Sequence, residues 1–215
     1  EIDNRQTDWD GCKKYTNPYE FIHSLIPKTQ TSVSKLKPLS RSYYKMIEIY
    51  YLFELAVLLP PVCNTFHIAE GPGGFIEAMC DLRKKNKDKY IGITLIDDCN
   101  YSIPGWKKSN VFLKKHSNVY IEKGKTETGD ITSDVNLKYC YEKYGGKIDF
   151  VTADGGFDFS VHFNKQESMS AKLIFSQIAF AISVQKKGGI FLIKLFDTFT
   201  QVSIDMIFLL SLVYD

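Results

Sequence analysis

From about residue 64 onward the chain alternates two hydrophobic patterns. Short apolar runs fall at 65–69, 90–96, 118–121, 148–153 and 189–196. Longer segments at 74–85, 133–144, 166–187 and 200–214 read as helices. Runs such as "YIGITLI" and "IFLIKLF" are nearly continuous apolar, as expected of strands covered on both faces. The 166–187 segment closes on Lys186-Lys187-Gly188-Gly189, basic residues and then a glycine stop. Another helical pattern covers 40–59 and ends at Pro60-Pro61. The alternation predicts an α/β fold, a mostly parallel sheet with helices on both faces. Residues 1–38 are polar and turn-rich, with Pro18, Pro27 and Pro38. They read as an N-terminal arm with a short helix at 18–25, ahead of one domain at 39–215.

Composition adds limits. With 215 residues, 44% of them hydrophobic, the chain can bury one substantial core. The longest apolar stretches, 47–59 and 202–214, are interrupted by Glu48, Glu54 and Asp205, which suits buried helices better than membrane spans. No stretch resembles a signal peptide. Five scattered cysteines without a C-x-x-C pair suggest reduced, intracellular chemistry. Asn100-Tyr101-Ser102 fits a glycosylation sequon that an intracellular protein would leave unused. The four histidines lack metal-ligand spacing, so no metal is expected. A net charge of +2 does not by itself argue for nucleic acid. The clusters at Arg83-Lys84-Lys85, Lys107-Lys108, Lys114-Lys115 and Lys186-Lys187 read first as solvated helix ends.

The densest glycine signal is "AEGPGGF", between the first strand and the next helix. Gly71 suits a turn, and Gly73-Gly74 would let backbone approach a ligand. A tight strand–helix turn needs the same residues. A dinucleotide site requires a third glycine where Ile76 stands. A P-loop before Gly124-Lys125-Thr126 requires a glycine where Val119 stands. S-adenosylmethionine remains, a ligand without phosphate, and Glu70 beside the glycines suits a cation better than a pyrophosphate. The candidate contacts here are Glu70, Gly71, Pro72, Gly73, Gly74 and Phe75. Asp97, after the second strand, could accept from ribose hydroxyls. Asp130, with Ile131 beside it after the third, could meet an adenine amine. Each acid alone is equally a surface or capping residue; together they favour a nucleoside site.

Two further strands end in chemistry. "VTADGGFD" places Asp154 at the fourth tip, and "GGIFLIKLFD" places Lys194 near the fifth. A lysine in an apolar strand is also explained by snorkelling to the surface. In "SRSYYKMIEI", Arg41 lies one helical turn before Lys45. This ordered set resembles the FtsJ-like ribose 2′-O-methyltransferases, most closely those that methylate mRNA caps, including forms encoded by large DNA viruses. The matching segments are 41–45, 70–75, 128–132, 153–157 and 194–199, and the similarity runs from about residue 39 to the end. The resemblance implies a Rossmann-like methyltransferase fold, S-adenosylmethionine as cofactor, and capped mRNA as substrate, with capping-machinery proteins as possible partners.

The family uses a Lys-Asp-Lys-Glu tetrad. By motif, Lys45, Asp154 and Lys194 are its first three members. The resemblance puts the glutamate on a later strand, so it and the last two strands of a seven-stranded sheet are expected to lie outside this sequence. It implies Lys194 as base toward a ribose hydroxyl, Lys45 as its electrostatic partner and Asp154 as orienter. Desolvation and a neighbouring cation depress an amine's pKa, which a lysine base needs. Arg41, Lys107, Lys108 and the Lys114-Lys115 pair are candidate phosphate contacts. Trp106 could stack on a base or cap guanine, or equally cover a local apolar patch. The competing functions are a ribosomal or transfer RNA methyltransferase and an inactive RNA- or protein-binding domain. The expected location is intracellular: cytoplasm, viral factory or virion for a viral protein, nucleus for a cellular one.

Overall fold

A computed structural model describes residues 3–17, 21–26, 29–100, 102–156 and 165–215. A 3-10 turn, Asp3–Arg5, leads into α1 (Gln6–Thr16). Then come α2 (Ser42–Leu52), α3 (Leu55–Leu58), β1 (Asn64–Ile68), α4 (Gly74–Arg83), β2 (Lys89–Ile93), α5 (Asn110–Lys115) and β3 (Val119–Glu122). They are followed by α6 (Asp134–Tyr144), β4 (Ile148–Ala153), α7 (Gln166–Val184), β5 (Gln185–Ile193) and α8 (Gln201–Ser211). The five strands form one all-parallel sheet in the order β3-β2-β1-β4-β5. Strand order reverses beside β1, where helices leave toward opposite faces. Ligands of such sheets bind in the crevice beyond the strands' carboxyl ends there.

Two core layers sandwich the sheet. On one face α2, α4 and α5 bury Tyr43, Met46, Phe75, Ile76, Met79 and Phe112 against Tyr90 and Phe150. On the other, α6 and α7 cover Phe66, Ile68, Ile91, Ile93 and Val151. Full burial of such a side chain contributes roughly 1.5–3 kcal/mol. Met206 of α8 joins Ile174 and Ile178 of α7 in a smaller cluster. One polar ladder crosses the interior. His67 Nδ1 and Nε2 each lie 2.8 Å from a threonine hydroxyl, Thr152 on β4 and Thr65 on its own strand.

Several expected boundaries move, each for a local reason. The 40–59 pattern is two helices, because Glu54 takes the left-handed conformation (φ 49°) and breaks the ladder. The 166–187 helix stops at Val184 instead of at a glycine cap. Residues 185–189 join β5, paired to β4 through a register irregularity and held by the Lys186–Asp149 ion pair. Helices α1 and α5 were not visible in the hydrophobic pattern; none of the described side chains of α1 belongs to these clusters. Of the expected 18–25 helix, residues 18–20 lie outside the described residues; 22–24 form bends. Ile26 instead bridges Thr31. Tyr101 of the sequon also lies outside the described residues.

Candidate active site

The loop after β1 is held from within. Gly73 sits at φ 110°, a conformation a side chain strains, and starts α4. Gly74 is needed for space: a Cβ there would overlap the Ser40 and Ser42 hydroxyls at the start of α2. The two helix starts are thereby pressed together, which fixes Lys45 one turn along α2. At Gly71 a Cβ would lie 2.6 Å from the Gly105 carbonyl. Glu70 is buried, and its Oε1 accepts the Ile76 amide at 2.9 Å. Burial pushes its carboxyl up to about 8, against the pull of the Ile76 and Phe75 amides, with a further push from Asp154. The carboxyl therefore caps α4 and does not face outward as a charge for a cationic ligand. Because Glu70 occupies those first-turn amides, this helix start is poorly suited to a pyrophosphate. Phe75 is in the core, and the Pro72 carbonyl accepts the Ser109 hydroxyl.

Beyond β2 and β3 lies a pocket of about 230 Å³, walled by Ile96, Asp97, Asp98, Gly105, Trp106, Lys107, Ile121 and Lys123. Asp97 Oδ1 accepts the Cys99 and Asn100 amides at 2.9 and 3.2 Å. Among the described residues its Oδ2 accepts nothing and is available to a ligand. Asp130 has the same design, with Oδ1 accepting the Thr132 amide and hydroxyl at 2.8 and 2.9 Å. Asp130 and Ile131 are not pocket walls, and Ile131 packs in the core. The fully buried Asn136 ties this loop down through Thr126 and the Asp130 carbonyl.

At the other side of β1, three elements converge on one carboxylate. Asp154 follows the last residue of β4, and Lys194 follows the last residue of β5. The Lys194 amide donates to the Ala153 carbonyl at 2.9 Å, so the two strand tips stay paired. Lys45 Nζ donates to Asp154 Oδ2, and Lys194 Nζ stands 3.2 Å from Oδ1. The Lys194 approach is an ion pair without hydrogen-bond alignment, since Oδ1 is buried with no hydrogen-bond partner. Lys194 Nζ also lies 4.2 Å from the Phe196 ring centre. The side chains of Lys45, Lys194 and Asp154 are 46%, 33% and 17% exposed. Ion pairs this open contribute roughly 0–1 kcal/mol, so stability is a weak reason for two lysines on one acid. Snorkelling is a poor account of Lys194, whose ammonium is held at the carboxylate. Phe157, in the "ADGGF" segment, lies outside the described residues.

The expected RNA contacts divide. Arg41 is exposed at the start of α2, and Lys108 is exposed. Lys107 instead holds its own loop, donating to the carbonyls of Asp97, Asn100 and Ile103 at 3.0, 3.0 and 3.3 Å. Trp106 is a core residue, only 9% exposed. Its ring packs where a Cβ on Gly92 would be, so it covers an apolar patch, and its small exposed part faces the pocket beside Asp97. Phe199, the last residue of the matching 194–199 segment, is 87% exposed on a loop pinned by Thr200 to Glu167. One residue escaped the sequence reading. Gln177 is wholly buried in α7 and meets the chain beside Asp154; a polar residue in an apolar helix was the hint. Among the described residues no cluster of three metal-ligating side chains occurs, and no helix is long and apolar enough to cross a membrane.

Comparison with known proteins gives the same direction. The model of the FtsJ-like methyltransferase family matches residues 38–215. The cap-specific mRNA (nucleoside-2′-O-)-methyltransferase 1 of Mus musculus is 33% identical over 213 residues, covering 90% of this chain and 24% of that protein. The protein of the same name from Trypanosoma cruzi is 31% identical over 164 residues, covering 74% of this chain and 42% of its own. The chain thus spans about a quarter of the mouse relative's length. A solved Plasmodium falciparum structure, named for a ribosomal RNA methyltransferase, superposes with a TM-score of 0.54 at 23% identity. It covers 80% of this chain and 85% of that one, and shows the fold.

Proposed function

The chain belongs to the FtsJ-like methyltransferase family, and from that premise we propose that it methylates a ribose 2′-hydroxyl of RNA next to the mRNA 5′ cap, inside the cell. The observation that carries this reading is the convergence of Lys45 and Lys194 on Asp154 at the tips of β4 and β5. S-adenosylmethionine, when bound, would supply an activated methyl group. The residues present fit it: Asp97 and Asp130 each keep one carboxylate oxygen without a partner among the described residues, and a largely apolar pocket adjoins Asp97. The first-turn amides of α4 are already occupied, which suits a ligand without phosphate.

A ribose hydroxyl is a poor nucleophile, and a base that takes its proton typically contributes ~10²–10⁴-fold. Lys194 is that base in this reading. Asp154 holds both lysine nitrogens in fixed places; Lys194 takes the hydroxyl proton in its neutral amine form, and Lys45 remains the cation beside an anionic backbone. Alignment of the hydroxyl contributes further. Arg41 and Lys108 are the exposed candidates for phosphate contacts. The cap preference rests on the cap-specific relatives. The test is methyl transfer from S-adenosylmethionine to a capped and an uncapped oligonucleotide of one sequence, using the full-length protein. Strong preference for the capped RNA is expected. Equal rates would favour a ribosomal or transfer RNA substrate, and absence of cofactor binding would defeat the reading.

A further inference from the structure

Gln177 lies mid-way along α7 with no exposed surface, among the buried apolar residues Leu173, Ile174, Ile178 and Ala181. Burying an amide costs free energy unless it is hydrogen-bonded. Only half of this one is used. Its Oε1 accepts the Gly155 amide at 2.9 Å, while its Nε2 is buried without a partner among the described residues. An apolar side chain of the same volume would fill the space without stranding a donor. The half that is used grips the residue next to Asp154. Gly155 is clamped there: a Cβ on it would lie 2.7 Å from Gln177 Oε1 and 2.9 Å from the Ala69 Cβ. The preceding carbonyl, of Ala153, is held by the Lys194 amide. The Asp154 backbone is therefore fixed on one side by the β5 tip and on the other by α7.

Resting on the function proposed above, we propose that Gln177 is a positioning residue for methyl transfer: its amide oxygen sets the 153–155 turn and so aims the Asp154 carboxylate at Lys45 and Lys194. It touches no reacting atom and acts through Asp154 alone. Small misplacement of a reacting constellation can cost ~10²-fold in rate.

Gln177→Met keeps the volume and removes the acceptor, whereas Gln177→Glu keeps an acceptor. In the full-length protein, Gln177→Met should slow single-turnover transfer to capped RNA on the order of 10–100-fold. Cofactor affinity by calorimetry should stay within about twofold, since the Asp97 and Asp130 loops lie on other strands. Gln177→Glu should recover most of the rate. Gly155→Ala pushes a Cβ onto the same oxygen and should slow transfer too. If Gln177→Met does not fold, Gly155→Ala and Gln177→Glu carry the test. Parental rates in Gln177→Met, no recovery of rate in Gln177→Glu, or a rate loss matched by weaker cofactor binding would overturn the proposal. Asp154→Ala separates this from the reading beneath it. If the parent transfers no methyl group to RNA, the proposed function falls; if the parent is active and Asp154→Ala is inactive while Gln177→Met is fully active, only the role of Gln177 falls.

Discussion

Lysine and arginine carry the same charge, but an amine can give up its proton to act as a base where a guanidinium stays charged. That difference isolates the role of Lys194. Lys194→Arg should keep an ion pair to Asp154 and leave cofactor affinity unchanged, while transfer falls by ~10²-fold or more. Parental turnover, read by methyl incorporation, would return Lys194 to a purely structural pairing. Glu70 makes the opposite point, because its carboxyl faces inward. Its folded value of about 8 lies above the ordinary 4.5. The group therefore favours folding fully below pH 4.5, and that contribution is lost as pH rises toward 8. Glu70→Gln keeps an acceptor for the Ile76 amide and has no proton to lose. In urea titrations its stability relative to the parent should climb between pH 4.5 and 8; a constant difference would show that Glu70 is ionised throughout.

At the level of elements, the β1–β4 seam and the α2–α4 contact carry the site. Burial pulls the His67 imidazole down to about 3 from 6.5. An unfolded chain protonates below 6.5 and the folded one does not. The seam is at full strength above pH 6.5 and loses roughly 1.4 kcal/mol per pH unit as acidity increases toward 3. His67→Asn cannot titrate, so its stability should fall less steeply with acid; equal slopes in chemical denaturation would exclude His67 as the source. Gly74→Ala should destabilise by ~1–3 kcal/mol, because the methyl group meets the Ser40 and Ser42 hydroxyls. It should also slow transfer by moving α2, and Lys45 with it. An unchanged melting temperature would mean that the helices separate easily. The parallel sheet and Asp154 and Lys194 at strand tips were legible in the sequence, because apolar runs bounded by glycines and acids are local patterns. The inward turn of Glu70 and the use of Lys107 on loop carbonyls were not, and the sequence left Trp106 open between stacking and covering a patch. Each depends on a partner brought close only by the folded chain: the start of α4 for Glu70, Gly92 for Trp106, and residues 97–103 for Lys107.

Across these 215 residues a net charge of +2 means that, on the proposed function, RNA affinity comes from placed cations and not from a general field. Each phosphate contact to a single strand contributes about 0.7 to the slope of log affinity against log salt. Arg41→Ala should flatten that slope by about this amount in anisotropy titrations. Lys107→Ala should leave the slope alone and weaken cofactor binding through its loosened loop. An unchanged slope in Arg41→Ala would remove it from the RNA path. The strand order has a consequence in time. The chain emerges with the central strand β1 first, then β2 and β3 on one flank, then β4 and β5 on the other. The pocket beside Asp97 needs only a local stretch of chain, whereas the Lys45–Asp154–Lys194 triangle waits for a residue about 150 positions after its first member. At about 5–20 residues per second, a ribosome delivers Lys194 roughly 7–30 seconds after Lys45. On the proposed function, a nascent chain can thus shape the pocket beside Asp97 well before Lys194 is made, and methyl transfer waits until β5 docks.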